Sequence, residues 1–238
     1  MANLTDFEVS KNIKLLAYGN SGTGKTCAAT GFPGPVWVAD FDNKISSAAA
    51  YHKGTSQLAQ ISYENYGPVD TRGTSIEKFN IKLAEMNKSK LFPRTLVVDS
   101  LTTFSDEAIR FLMRMNPGLK RMDTKGASIP SLQDYQVARL FFKEIITGVI
   151  NFPCNVIFLA HIQIDKDEST GEIFRTPMMA GKLSRELPIY FEEVYRIYCK
   201  DGKYLAQTKS DNRYNCRTQI KGLPAEIEFK YDELIKQR

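Results

Sequence analysis

Cysteine is scarce and unpatterned in this chain. The four residues Cys27, Cys154, Cys199 and Cys216 form no C-x-x-C pair and accompany no paired histidine spacing, so neither a zinc site nor a disulfide framework is indicated. The thiols read as reduced and mostly buried. Long apolar runs are missing as well: none approaches the ~20 residues that span a bilayer, which argues against membrane insertion. The stretch from Met1 to Asp6 has no basic segment followed by an apolar one, so no export leader is expected. Internal repeats and low-complexity tracts are absent too. These absences lead us to expect a soluble, intracellular chain. A formal charge of only +5 permits contact with nucleic acid without arguing for it.

What is present is enough for a full hydrophobic core: 238 residues, 42% of them hydrophobic. The chain reads as one α/β domain over residues 1–238, with a polar lead-in at 1–12 and a C-terminal extension over about 222–238.

Its organising stretch is Gly19-Asn20-Ser21-Gly22-Thr23-Gly24-Lys25-Thr26, which fits G-x-x-x-x-G-K-[ST] at every fixed position. An apolar strand over 13–18 precedes it and a helix beginning at Cys27 follows. Glycines let backbone N–H groups turn inward and approach phosphates closely, and the helix adds its N-terminal donors. Lys25 would reach the β- and γ-phosphates of a nucleoside triphosphate, and the Thr26 hydroxyl would hold Mg²⁺. The competing reading is a glycine-rich turn with a chance lysine, which the flanking strand and helix oppose. Gly31-Phe32-Pro33-Gly34-Pro35 stops that helix early.

A second strand, Val36-Trp37-Val38-Ala39, delivers Asp40-Phe41-Asp42 to the same edge. A carboxylate there can orient or deprotonate an attacking water, with Asp42 the first choice and Asp40 the second; otherwise the pair caps a solvated turn. A strand is expected near Leu58–Ile61. A capping box of Thr74 and Glu77 would then open a packing helix. Thr95-Leu96-Val97-Val98-Asp99-Ser100 is a buried strand ending in an aspartate, and a carboxylate on the strand expected to neighbour that of the phosphate loop assigns Asp99 to Mg²⁺.

Lys120, Arg121 and Lys125 follow a helix break at Asn116-Pro117-Gly118. They form either a solvated charged face or a loop touching a nucleic-acid backbone. Ser131 opens a long helix. Asn155–Ala160 is the next buried strand, ending at His161, which is either a satisfied structural histidine or a sensor of the γ-phosphate. A loop over about 163–185 carries Lys166, Arg175, Lys182 and Arg185, with a hairpin possible at its tip. Strands over 194–198 and 203–207 precede the basic, turn-rich stretch 208–217.

With these motifs placed, the chain resembles the RecA-like ATPase core, and most closely the small phage-encoded RecA-like ATPases of single-strand annealing. The resemblance covers most of residues 12–220, through Gly19–Thr26, the ending Val38-Ala39-Asp40-Phe41-Asp42, Leu96-Val97-Val98-Asp99-Ser100 and Val156–Ile162. It implies an α/β RecA-like P-loop NTPase: a mostly parallel sheet flanked by helices, with an antiparallel C-terminal edge. It implies ATP and Mg²⁺ as cofactors, Asp42 acting on the attacking water where the family often has glutamate, and His161 where it often has glutamine. DNA-binding loops would lie over 116–130 and 163–185. The chain would assemble as a filament or ring whose ATP sites are completed by a neighbour, with Lys209 and Arg213 reaching the γ-phosphate in trans and Arg217 a weaker match. Partners would be single-stranded DNA, further copies of the chain and a phage single-strand-binding protein, in the cytoplasm of a bacterial host. Two other classes stay open: a P-loop kinase of a nucleotide or small molecule, and an ATP-gated adaptor or helicase loader.

Overall fold

A computed structural model describes residues 12–68, 73–115, 121–122, 128–166, 168, 170–179 and 183–236. Lys120, Lys125 and Lys182 lie outside the described residues, as does nearly all of the lead-in. The central sheet contains β1 (Lys14–Tyr18), β2 (Val36–Asp40), β3 (Ile61–Asn65) and β4 (Thr95–Asp99). Two short pairs stand apart from it: β5 (Arg121–Met122) with β6 (Ser128–Ile129), and β8 (Ile162–Lys166) with β9 (Ile173–Pro177). The remaining sheet strands are β7 (Asn155–Ala160), β10 (Glu193–Lys200), β11 (Lys203–Gln207) and β12 (Glu226–Glu228). The order across the eight-stranded sheet is β12-β11-β10-β1-β7-β4-β2-β3. The six strands from β10 to β3 run parallel, and β11 and β12 close the edge antiparallel.

Strands β2, β4 and β7 are buried along their whole length because helices cover both faces of the sheet. The period of two sends alternate side chains into two cores. Leu16, Trp37, Leu96, Val98, Val156 and Phe158 pack against α3 (Thr74–Ser89), α4 (Leu101–Met115) and α5 (Leu132–Ile150). Leu15, Ala17, Val36, Val38, Val97 and Ile157 face α1 (Lys25–Ala29) and the buried side chains of Ile227, Phe229 and Leu234. Residues 222–236 thus supply the edge strand β12 and helix α7 (Tyr231–Ile235), and Phe229 packs its ring on Phe32 at 6.0 Å.

The structure corrects four local expectations. The strand placed near Leu58–Ile61 begins only at Ile61: Ser56–Gln60 is a 3-10 turn, held because the Gln57 amide donates to Thr30 O at 2.7 Å and Phe32 O at 2.9 Å. The Thr74–Glu77 capping box does not form. The N-cap is Gly73, which has no side chain to accept a capping bond, Thr74 is already the first helical residue, and Glu77 pairs instead with Arg114 at 2.9 Å. The box occurs at α5, between Ser131 and Asp134. The stretch after β7 is a hairpin from its base rather than a loop with a hairpin tip, in register from Ile162 opposite Pro177 to Lys166 opposite Ile173. Finally, β4 does not neighbour β1, because β7 lies between them.

The C-terminal ends of the parallel strands share one edge. Asp40 sits opposite Asp99, Asp99 opposite Leu159, and Tyr18 opposite Ala160. The phosphate loop and the turns that carry Asp42, Asp99 and His161 leave from this edge.

Candidate nucleotide site

Two glycines shape the phosphate loop. Gly19 passes so close to β10 that a Cβ would meet the Ile197 carbonyl oxygen at 2.3 Å, and its N–H donates to Ala160 O at 3.1 Å. Gly24 caps α1 at φ 78°, where a Cβ would stand 2.3 Å from the Tyr204 ring. The helix that follows has only five residues, so an anion held here would rely on the loop amides more than on a helix dipole.

Lys25 is buried, and its ammonium donates to the carbonyls of Gly19 at 2.9 Å and Asn20 at 2.8 Å. Burial pulls its pKa down to about 8, partly offset by the nearby Asp99 and Asp42 carboxylates. Next to it the Thr26 hydroxyl donates to Asp99 Oδ2 at 2.5 Å. Asp99 is pushed up to about 6 by burial, against the Thr26 hydrogen bond, so it is a carboxylate that gains from a cation. A hydroxyl and a carboxylate oxygen in contact are the hard donors that Mg²⁺ takes, with water completing the shell. Among the described residues no group of three or more His, Cys, Asp or Glu side chains is arranged to hold a metal.

The two candidate carboxylates at the end of β2 separate cleanly. Asp40 is 1% exposed and spends both oxygens on the turn that follows, accepting from Lys44 N at 3.1 Å and Ile45 N at 3.0 Å. The structural role of capping that turn belongs to Asp40. Asp42 reaches the cleft. Its Oδ1 accepts from the Ser100 hydroxyl at 2.9 Å and from Thr103, and its Oδ2 from His161 Nε2 at 3.2 Å, so that ring nitrogen carries the proton. Burial works against the charge, but the hydrogen bonds from His161, Thr103 and Ser100 outweigh it and hold the pKa at about 2. Such a weak base suits orienting a water better than removing its proton.

The cleft, about 350 Å³, is lined by residues 21–27, Asp42, Lys44, Ser46, Ser47, Asp99, His161 and Tyr204. It joins the phosphate loop, the Thr26–Asp99 pair and the Asp42–His161 pair across four strand ends, those of β1, β2, β4 and β7. This arrangement, on a mostly parallel sheet, is that of an α/β P-loop NTPase, and a family model described as an AAA domain matches residues 11–219. The chain belongs to the AAA domain family. An AAA domain is a nucleotide-binding ATPase module. No curated protein matches the chain.

Several side chains of this AAA domain's site were not among the residues singled out in the sequence. Ser100 and Thr103 follow the Asp99 strand and fix Asp42; a hydroxyl run after a strand-end aspartate is the only local signal for them. Lys44, Ser46 and Tyr204 line the cleft without any motif. Of the predicted basic residues, neither Lys209 nor Arg213 lines the cleft of its own chain. Arg217 is committed elsewhere, its guanidinium donating to the carbonyls of Pro188, Ile189 and Phe191. Arg175 stacks over Tyr214 at 5.3 Å and Arg185 over Phe174 at 4.6 Å. They share with Arg213, Asn212 and Asn215 a shallow cavity of about 260 Å³. Lys166 is exposed on the β8–β9 hairpin, and Arg121 is described only by its place on β5. Cys27, Cys154 and Cys216 are buried free thiols and Cys199 is exposed. Among the described residues no helix is long and apolar enough to cross a membrane.

Proposed function

We propose that this AAA domain is a RecA-like, ATP- and Mg²⁺-dependent ATPase that binds single-stranded DNA and works as a homo-oligomer, a ring or filament with shared ATP sites, in phage DNA recombination or single-strand annealing. Mg²⁺ held by Thr26 and Asp99 would supply positive charge to the β- and γ-phosphates. Lys25 leaves its loop carbonyls to bind the same phosphates, and Asp42 orients the attacking water while His161 reports on the γ-phosphate. The cavity of about 720 Å³ beyond the phosphate cleft shares Cys27 and Tyr204 with it and is walled by Tyr51, His52 and Tyr231. Its aromatic lining suits the nucleotide base.

The observation that carries the DNA reading is the cluster of Arg175, Arg185 and Arg213 with Phe174 and Tyr214 around one cavity. Among the described residues none of the three arginines has an ion-pair partner. Cations and aromatic faces together are what a single strand's phosphates and bases require. Lys209 and Arg213 do not line their own chain's cleft, which supports a role for them at a neighbour's.

The test is ATP hydrolysis against protein concentration, with and without single-stranded DNA at low salt, using Lys25→Ala as the blank. Turnover per subunit should rise cooperatively and increase with DNA. Turnover that is flat and indifferent to DNA would remove this reading. Phosphate transfer to a nucleotide acceptor would install a kinase instead, and stimulation only by a partner protein would install an adaptor.

A further inference from the structure

The turn between β2 and α2 (Ser46–Tyr51) is built with more care than a connection needs. Its backbone is fixed at each step. Asn43 takes a left-handed φ of 55° with its amide packed on Gly67, the buried Asp40 carboxylate accepts the Lys44 and Ile45 amides, and the Lys44 carbonyl accepts from Ser47 N at 3.1 Å and Ser47 Oγ at 3.0 Å. Lys44, Ser46 and Ser47 line the cleft from this side, and Lys44 is the one charged residue among them.

Lys44 makes no ion pair among the described residues. The carboxylates around it are already engaged: Asp42 by Ser100, Thr103 and His161, Asp99 by Thr26, and Asp40 by the turn itself. Its charge is near enough to Lys25 to disfavour the Lys25 ammonium. Two lysines line one small cleft whose carboxylates are already held by hydrogen bonds, and a further anion, such as a phosphate, would balance them. An ordinary solvated lysine would need neither the clamped backbone nor the position two residues beyond Asp42.

We infer that Lys44 is a second phosphate-clamping cation, supplied by the same chain, that holds the outermost phosphate of the bound nucleoside triphosphate from the side opposite Lys25. This rests on the ATP reading above. It adds a charge at the γ-phosphate that does not depend on assembly, whereas Lys209 and Arg213 would act only from a neighbour.

The experiment measures the affinity of the full-length protein for a fluorescent non-hydrolysable ATP analogue and for fluorescent ADP, both with Mg²⁺, in wild type, Lys44→Gln, Lys44→Arg and the exposed control Lys53→Gln. A charge-assisted contact to the last phosphate predicts that Lys44→Gln weakens the triphosphate by about tenfold while ADP changes less than about twofold. Lys44→Arg should restore most of the difference and Lys53→Gln should change neither ligand. Equal weakening of both nucleotides, or none, overturns the assignment of Lys44. If wild type binds neither nucleotide, the ATP reading itself falls, so the two failures are distinct.

Discussion

The Thr26 hydroxyl donates to Asp99 at 2.5 Å although the strands that lead to these two residues do not pair with each other, because β7 runs between them. The contact spans the middle strand at the sheet edge and makes the site sensitive to both residues. Asp99→Asn should reduce Mg²⁺-dependent ATP hydrolysis by about a hundredfold or more, as loss of an ion worth several kcal/mol of charge stabilisation implies. Titration of the rate against Mg²⁺ checks it, since the variant should stay low at concentrations that saturate wild type.

The same substitution should stabilise the nucleotide-free protein. Asp99 rises from 3.8 to about 6 on folding, so the folded state holds its proton longer, and stability falls as pH rises from about 4 through about 6. Above that range the buried charge costs about 2 to 3 kcal/mol, which Asp99→Asn removes. Thermal unfolding at pH 7.5 should shift up by about 5 °C or more, and the gain should vanish toward pH 4.

Asp42 titrates in the opposite sense. Its pKa falls from 3.8 to about 2, so its contribution to stability is complete above about pH 4 and is lost as pH drops toward 2. Asp42→Asn should therefore destabilise at neutral pH, with the difference disappearing in acid. It should also slow hydrolysis by about a hundredfold while leaving nucleotide affinity within about threefold, a split between kcat and binding that follows from acting on water rather than on phosphate.

Lys25 must be charged to bind phosphate, yet in the free cleft burial lowers its pKa to about 8. Nucleotide affinity should be flat below that pH and weaken by up to about tenfold per unit above it, as the free protein must take up a proton to bind. Lys25→Arg, which keeps its charge, should bind with no such dependence; fluorescence titrations from pH 6.5 to about 9.5 decide.

Thr102 links the two halves of the proposed mechanism. Its hydroxyl accepts from His161 N at 3.0 Å and donates to Met178 O at 3.0 Å, so it ties the base of the β8–β9 hairpin to the start of α4, where Thr103 holds Asp42. Thr102→Val should leave ATP affinity within about twofold but lower the stimulation of hydrolysis by single-stranded DNA about fivefold, within the coupling energies such links carry. By contrast, Arg175→Ala and Arg185→Ala should weaken DNA binding itself, each reducing the slope of log affinity against log salt by about 0.7.

The parts of this site that were legible in the sequence are those whose chemistry is local. Gly19–Thr26 needs its residues in one turn, and Asp99 closes an uninterrupted apolar strand, so both could be read from neighbours in the chain. Asp42 was legible as a position but not as a chemical state. Its donors Ser100, Thr103 and His161 stand 58, 61 and 119 residues away, and only the sheet order brings them together. Asp40 and Asp42 look alike in sequence and differ by where the turn folds. Lys44 and Tyr204 carried no pattern at all, because a single lysine or tyrosine acquires meaning only from the cleft it faces. The β8–β9 hairpin was legible only as a possible hairpin at the tip of a loop, not down to its base, because its residues Ile164 and Ile173 are exposed rather than packed and mark no core-facing strand.

The packing of Phe229 and Leu234 behind the phosphate loop has a consequence for how the molecule is made. The loop leaves the ribosome before its neighbours: the strands on either side of β1 lie about 140 and 180 positions later and the aromatic backing of Phe32 comes from Phe229 and Tyr231. A nascent chain therefore carries its nucleotide motif long before it has a wall to hold it against, and ATP can find a complete site only after Phe229 and Tyr231 have been made.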